Sequence, residues 1–214
     1  MKRYTLSKKT RHMAAQGQQK KPFLTKKMAW SIALAAIMAF SIVGYIYISP
    51  RSGNLQYNGF TFRPQGNPNT GTITGWTAVI GDREISFSSH PTDVLSINMS
   101  DDATLLIRQA PVLFLTSDPD DVSKEAIGLI DYDFQTILEP AASALVGFTT
   151  SNTFNKPVIT CANATAYEPV IYLRTADVNR IWLNGSCIMA EAPSGNSLMR
   201  IRDRLLYAYY NIIP

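Results

Sequence analysis

The sequence has few residues of the kinds that catalyse reactions or bind metals. Its 214 residues include two histidines and two cysteines, and only one histidine, His90, lies beyond the first 50 positions. The two cysteines are too far apart to form the Cys-x-x-Cys pair of redox and zinc sites. The composition therefore predicts no metal, no cofactor and no catalytic residue, and it defines no reaction.

Acidic residues are absent from the first 27 positions, which contain nine of the twenty lysine and arginine residues. From Arg51 onward, eleven basic residues face sixteen acidic ones, a formal charge of −5. The chain therefore combines a cationic tail with an acidic domain. Its overall charge of +4 is no sign of nucleic-acid binding, and nucleic acid is not expected among its partners.

Charged residues are also absent from residues 28–48, a run that is mostly apolar. As a helix this run would be about 31 Å long, the thickness of a bilayer core. It is longer than the apolar region of a cleaved signal peptide and lacks its small-residue cleavage site. We predict a single transmembrane helix, with a buried helix of a soluble domain as the alternative.

The flanks of this run orient it, because basic residues concentrate on its N-terminal side. Residues 1–27 are predicted to be a disordered cytoplasmic tail held near anionic lipid headgroups. Residues 49–54 are a predicted linker, and 55–214 form a predicted domain outside the cell membrane.

The outer domain alternates between strand and helix patterns. Periodicity predicts strands over 55–63, 75–80, 83–88, 111–116, 157–161, 169–174, 180–183 and 186–190. It predicts a loop over 64–71 and helices over 122–138 and 198–213. The second helix pattern follows a turn, and the first connects strands 111–116 and 157–161 as a β-α-β crossover. The fold class is therefore predicted to be α+β, with a mixed sheet and a C-terminal helix.

The dipeptide Asn184-Gly185 separates two predicted strands and favours a two-residue hairpin turn. Counting outward from it pairs Trp182 with Cys187, which places both side chains on one face of the sheet. Cys161 and Cys187 both fall in predicted strands, and in an oxidising compartment they are predicted to form one disulfide. Such a bond would stabilise the fold by roughly 3.5 kcal/mol in the chain-entropy account.

Three asparagines begin Asn-x-Ser/Thr patterns: Asn98, Asn163 and Asn184. Such patterns also arise by chance, so these residues are glycosylation candidates that depend on the outer location of the domain. Asn184 lies at the predicted hairpin tip, where an acceptor would be accessible.

Three clusters of acidic or hydroxyl residues resemble catalytic or metal-binding sites, but structural roles explain them better. Residues 88–93 contain the Ser, His and Asp of a hydrolytic triad, but such close neighbours do not face one another, which favours a loop. The aspartates at 118–121 lack the spacing of a calcium loop and suit helix capping. Asp131 and Asp133, two apart on a helix, diverge and make a poor acid/base pair.

The predicted C-terminal helix has two apolar stripes. The first contains Leu198, Ile201, Leu205, Ala208 and Ile212, and the second contains Met199, Leu206, Tyr210 and Ile213. Either the helix is sandwiched within the domain, or the second stripe is a face for a partner. Arg200, Asp203, Arg204 and Tyr207 are spaced three and four apart and can pair along one surface, which is predicted to stabilise the helix or to tether it to a loop.

Several segments resemble a group of uncharacterised, single-pass, membrane-anchored envelope proteins of small archaea. The similar segments are Pro157-Val-Ile-Thr-Cys161, Pro169-Val-Ile-Tyr-Leu173, Gly185-Ser-Cys187-Ile188, Asp203-Arg-Leu-Leu-Tyr207 and the corner Thr116-Ser-Asp-Pro119. The resemblance implies an extracytoplasmic, disulfide-containing domain in an archaeal envelope. It implies no known activity and no catalytic residues.

Function is therefore expected to be that of a non-enzymatic envelope subunit that binds another protein or further copies of itself. A membrane-anchored enzyme with a site assembled from dispersed residues is the main alternative. A pilin-like subunit is a third interpretation, although no clear prepilin cleavage sequence precedes the apolar run.

Overall fold

The structure is a computed structural model that describes residues 28, 30–32, 34–38, 53–67, 69–139 and 141–214. The chain divides into two compact units, Met1–Pro50 and Arg51–Pro214. The described residues before position 39 are helical and exposed. In the part of the chain that is described, no helix is both long and apolar enough to cross a bilayer. The predicted tail, most of the predicted span and most of the linker lie outside the described residues.

The second unit is an α+β domain with a mixed sheet and a C-terminal helix. Its strands are β1 (Leu55–Tyr57), β2 (Phe60–Asn67), β3 (Thr72–Ile80), β4 (Arg83–Phe87), β5 (Val112–Ser117), β6 (Ser143–Phe148), β7 (Val170–Thr175), β8 (Arg180–Asn184) and β9 (Cys187–Ala192). Its helices are α1 (Asp101–Gln109), α2 (Lys124–Leu138) and α3 (Gly195–Tyr209). Two short 3₁₀ helices span Pro91–Val94 and Cys161–Asn163.

The first four strands form an antiparallel meander in the order β1-β2-β3-β4. The predicted single strand over 55–63 is wrong, because Asn58 and Gly59, with φ of 45° and 84°, fold the chain back between β1 and β2. The predicted loop over 64–71 also begins too early, since β2 continues to Asn67. Pro64 is tolerated because β1 pairs with β2 only as far as Phe62, so the missing N–H costs no ladder bond on that side.

The other five strands form a mixed sheet in the order β6-β5-β7-β9-β8, in which only β8 is antiparallel to its neighbour. The crossover from β5 through α2 leads to β6, so the predicted second strand at 157–161 is wrong. Val158 makes only an isolated bridge with Phe148. Gly147 lets this later segment cross β6 closely, because a Cβ there would lie 2.6 Å from the Ile159 side chain and the Pro157 carbonyl. Because glycine is unfavourable in strands, Gly147 also weakened the sequence pattern of β6, and this strand was not predicted.

Helix boundaries differ from the predicted ones for local reasons. Helix α1 was not predicted, because only Ala103, Thr104 and Ile107 of its nine residues are buried and the apolar pattern is sparse. Its N-cap is Ser100, whose hydroxyl accepts from the Ala103 amide. Helix α2 begins at Lys124 rather than 122, after a turn in the preceding segment.

The β8–β9 hairpin has the predicted strands but a different turn. Gly185 and Ser186 form the turn, and Asn184 pairs with Cys187, so Trp182 pairs with Met189 rather than with Cys187. Gly185 has a φ of 61°, as the first central residue of a type II′ turn requires. The change moves the partner by two residues, which keeps Trp182 and Cys187 on the same face of the sheet.

The two faces of the five-stranded sheet contact different parts of the domain. One face packs with the helices and the meander in the main core, which includes Leu113, Leu115, Ile171, Leu173, Ile188 and Ala190. The opposite face carries a small cluster of Ile159, Val170, Cys187 and Met189. Three described residues from outside the sheet belong to this cluster or pack against it: Ile159, Cys161 and Ala164. All three lie in segment 157–168, here called the strap.

Candidate functional site

The part of this second face beyond the strap presents a row of charged side chains. Strand register places Arg174 on β7 and Arg180 on β8 at either side of Glu191 on β9. Glu191 is fully buried and accepts from Arg174 Nε at 2.7 Å and from Arg180 Nε. Burial raises the pKa of Glu191, but the hydrogen bonds from Arg180, Arg174 and Trp182 outweigh it and lower the pKa. The carboxylate therefore stays ionised and fixes both guanidinium groups.

The next row of the same face is aromatic. Tyr172 on β7 and Trp182 on β8 flank Met189, and both rings are half-buried. The guanidinium of Arg174 lies 5.8 Å from the Tyr172 ring centre, and that of Arg180 lies 5.2 Å from Trp182. Trp182 Nε1 also donates to Glu191 at 3.0 Å.

We call Tyr172, Arg174, Arg180, Trp182 and Glu191 the open sheet face. The side chains of Arg174 and Arg180 are 40% and 52% exposed. Tryptophan, tyrosine and arginine are the residues enriched at interface hot spots. Since salt bridges, ring stacking and strand pairing already order these side chains, the surface loses little side-chain entropy when it is covered.

The strap covers the neighbouring part of the same face. The sulfur atoms of Cys161 and Cys187 lie 2.05 Å apart, the distance of a disulfide bond, as the sequence predicted. Cys161 lies in a 3₁₀ helix rather than in the predicted strand. Thr116 Oγ1 on β5 donates to the Ile159 carbonyl at 2.6 Å, a second attachment of the strap to the sheet. The disulfide therefore limits how much of the sheet is open.

The three glycosylation candidates are all exposed. Asn98 precedes helix α1, and its carbonyl accepts from the Ile181 amide. Asn163 ends the 3₁₀ helix of the strap, and Asn184 is the last residue of β8. Their exposure permits glycosylation, which stays a prediction.

The C-terminal stripe proposed as a partner face lies largely inside the domain. Leu206 is fully buried, and Ile213 is 4% exposed. Met199 and Tyr210 are half-buried against the main core, and Tyr210 Oη donates to the Ile137 carbonyl at 3.0 Å. Helix α3 is thus sandwiched within the domain, the alternative that the sequence left open. Its first stripe is buried as predicted.

The polar residues of α3 form the predicted tether between helix and loop rather than pairing along one surface. Asp203 and Arg204 are buried with Arg202, because the meander packs over this side of the helix. Asp203 Oδ2 accepts from the Ser89 amide at 2.8 Å, and Tyr207 Oη donates to the Ser89 carbonyl. Burial raises the pKa of Asp203 to about 7, with Arg202 and the Ser88 and Ser89 amides acting against it. This cluster joins α3 to the meander and has a structural role.

His90 is the cap of a short helix and not part of a triad. Its Nδ1 lies 2.8 Å from Thr92 Oγ1, and its ring centre lies 5.2 Å from Phe62 and 4.9 Å from Trp76. Burial lowers the pKa of His90, and Asp93 acts against this change. The imidazole is therefore neutral and enclosed by aromatic rings.

The aspartates at 118–121 are bonded within the protein. Asp118 Oδ1 accepts from the Asp120 amide at 2.9 Å. Asp121 accepts from the Thr175 amide at 2.9 Å and from the Thr175 hydroxyl at 2.6 Å, which ties the loop after β5 to the end of β7. Burial raises the pKa of Asp121, but these bonds and that from Ser123 leave it lowered. None of these bonds caps helix α2, whose N-cap is Ser123 without a side-chain cap bond, so the capping interpretation is wrong and the aspartates instead order the loop.

Asp131 and Asp133 diverge, as the sequence predicted, and line different cavities. Asp133 lies in a polar groove of about 400 Å³ between β4 and α2, together with Arg83, Glu84 and Arg202. Arg202 Nη1 lies 3.4 Å from Asp133 Oδ2. Burial raises the pKa of Asp133, and Arg202 acts against it. The groove therefore brings two carboxylates, Glu84 and Asp133, to one cavity.

The sequence did not single out the open sheet face, although Tyr172 alternates with Arg174 and Arg180 with Trp182 in two predicted strands. Alternation within a strand shows which residues share its face, but not how two strands pair or which face is covered. Glu191 lies just past the predicted strand 186–190. In comparisons with known proteins, no family model, no curated protein and no solved structure matches the chain.

Proposed function

We propose that the chain is a single-pass membrane protein whose outer domain is a non-enzymatic envelope subunit, and that it binds another protein through the open sheet face. The anchor and orientation rest on the uncharged run at 28–48 and on the cationic tail before it. The binding role rests on one observation. The helices pack on one face of the sheet, and the other leaves Arg174, Arg180, Tyr172 and Trp182 accessible.

The charge of this surface favours an acidic segment of the partner. Two guanidinium groups surround one carboxylate, so Arg174, Arg180 and Glu191 together carry one positive charge. The rest of the domain is acidic, which makes this a local positive site on a negative surface. A carboxylate from the partner can bond to the guanidinium edges that face solvent.

Purification from the native membrane in mild detergent tests this function. The partner should co-purify with the wild-type chain and be lost from Trp182→Ala and from Arg180→Gln. Tyr132→Ala is the matched control, since Tyr132 is 65% exposed on α2, away from the open sheet face. Each variant should keep its circular dichroism spectrum. Retention of the partner by both variants would refute the proposed surface, and recovery of only further copies of the chain would identify a homo-oligomer.

A membrane-anchored enzyme is the second candidate, and the polar groove is the observation that favours it. Glu84 and Asp133 line one cavity with Arg202, an arrangement that acid/base chemistry can use. Glu84→Gln should leave partner binding unchanged. Loss of a measurable hydrolytic activity in this variant, with the fold intact, would favour the enzyme. A pilin-like subunit would instead show a processed mature N-terminus by mass spectrometry.

A further inference from the structure

A second cavity of about 300 Å³ lies at the carboxyl ends of β5 and β6, beside the first turns of α2. Its walls are mostly apolar and include Ile127, Phe148 and Phe154. Ligands of open α/β sheets bind outside the carboxyl ends of the strands, and this volume is at the lower end of small-molecule pockets. The cavity is separate from the open sheet face and from the polar groove.

Gly128 lines this cavity from the interior of α2. Glycine inside a helix is less favourable than alanine, so a steric or functional reason is expected for it. No steric reason exists here, because a Cβ built on Gly128 meets no atom within 4 Å. At Gly147, by contrast, a Cβ would clash. A side chain at the exposed Gly128 would therefore extend into open space at the edge of the cavity.

Asp131, almost one helical turn after Gly128, contributes a polar group to the same cavity. Its Oδ1 is buried and has no hydrogen-bond partner among the described residues. Burial raises the pKa of Asp131 to about 7, and Lys156 acts against it. A mostly buried carboxylate that lacks a donor at one oxygen is costly, so a ligand that donates to this carboxylate from the cavity gains a bond at little loss.

The rim of the cavity is an ordered loop. Asn152 Oδ1 accepts from the amides of Phe154 and Lys156 at 3.0 and 3.2 Å, which fixes the loop after β6. The loop holds the Phe154 ring with its centre 5.6 Å from that of Phe148. Two phenyl rings thus stand beside the cavity in a fixed arrangement.

We propose that this cavity binds a small apolar molecule with one hydrogen-bond donor, an aryl or alkyl amine or alcohol. Its apolar body contacts Ile127, Phe148 and Phe154, and its donor bonds to the Asp131 carboxylate. This inference is independent of the proposed protein-binding function, because the open sheet face has no residue in the cavity.

Methyl NMR of the full-length chain in mild detergent, with the Ile127 methyl group as reporter, tests the proposal. The probes are benzylamine, benzyl alcohol, toluene and benzoate at pH 8, where the Asp131 carboxylate is ionised. Benzylamine should bind about tenfold or more tightly than toluene, since a charge-assisted hydrogen bond has that effect. Benzyl alcohol should fall between them, and benzoate should not bind.

Three variants complete the experiment. Gly128→Leu fills the cavity and should abolish binding of every probe, whereas Asp131→Leu should make benzylamine and toluene bind equally. Leu129→Ala is the matched control, since Leu129 is 60% exposed on the same helix and does not line the cavity. If Gly128→Leu does not fold, Gly128→Ala replaces it and should weaken binding severalfold. Equal binding of toluene and benzylamine to the wild type, unchanged binding in the Gly128 variant, or no shift with any probe would overturn the proposal.

Discussion

Removal of the disulfide is the change with the clearest expected consequence. In Cys161→Ala/Cys187→Ala the strap loses its covalent attachment to β9, while the bond from Thr116 to the Ile159 carbonyl remains. The cysteines are 26 residues apart, and the chain-entropy account gives a loss of roughly 3.5 kcal/mol for a loop of that size. A domain of about 160 residues changes its Tm by about 2–4 °C per kcal/mol, so the Tm should fall by about 7–14 °C.

The local effect should be confined to the strap. Ile159, which is 5% exposed and donates its amide to Phe148, should become accessible more often when only hydrogen bonds hold this part of the strap. Its amide should therefore exchange with deuterium much faster in the double variant, whereas amides of α3 should be affected only through global stability.

Thermal circular dichroism and hydrogen exchange of the oxidised wild type and the double variant measure these effects. Thr116→Val is the matched control, because it removes the hydrogen bond to the strap and keeps the disulfide. A fall in Tm of less than about 2 °C, or unchanged exchange at Ile159, would refute the reasoning. Two free thiols in protein from its native membrane would refute the disulfide itself.

The remaining predictions concern topology, pH and packing. External protease on intact cells should digest epitopes after Arg51 and spare a tag at Met1, and the reverse result would contradict the orientation. The pKa of Asp131 is about 7 in the fold against 3.8 unfolded, so the folded state binds more protons and stability falls as pH rises through this range. Between pH 5 and pH 8, the free energy of unfolding of the wild type should fall by about 2–3 kcal/mol more than that of Asp131→Asn, as measured by urea titration at both pH values. An equal fall in both proteins would exclude the effect. Leu206→Asp places a charge at a fully buried position and should unfold the domain, whereas a folded variant by circular dichroism would show that α3 can expose this stripe. Gly128→Ala should raise stability by about 0.5–1 kcal/mol in urea, since its methyl group enters open space; a loss would indicate a contact there.

The sequence alone determined features that depend on neighbouring residues. The periodicity of apolar residues and the position of turn-forming residues correctly located β5, β7, β8 and β9. Each of these strands has a strong apolar alternation or an apolar run beside a clear turn. The buried stripe of α3 followed from helical spacing in the same way. The α+β class followed from these elements.

The tertiary structure decided what depends on distant segments. Strand β6 was missed because Gly147 weakens its pattern, and that glycine is needed only because Ile159 crosses it. Asp203 and Arg204 were predicted to lie on a helix surface, since their burial depends on a segment more than a hundred residues earlier in the chain. Strand alternation likewise places Arg180 and Trp182 on one face of β8, but only the packing of the helices on the other face of the sheet leaves them accessible, because side-chain period is local and burial is not.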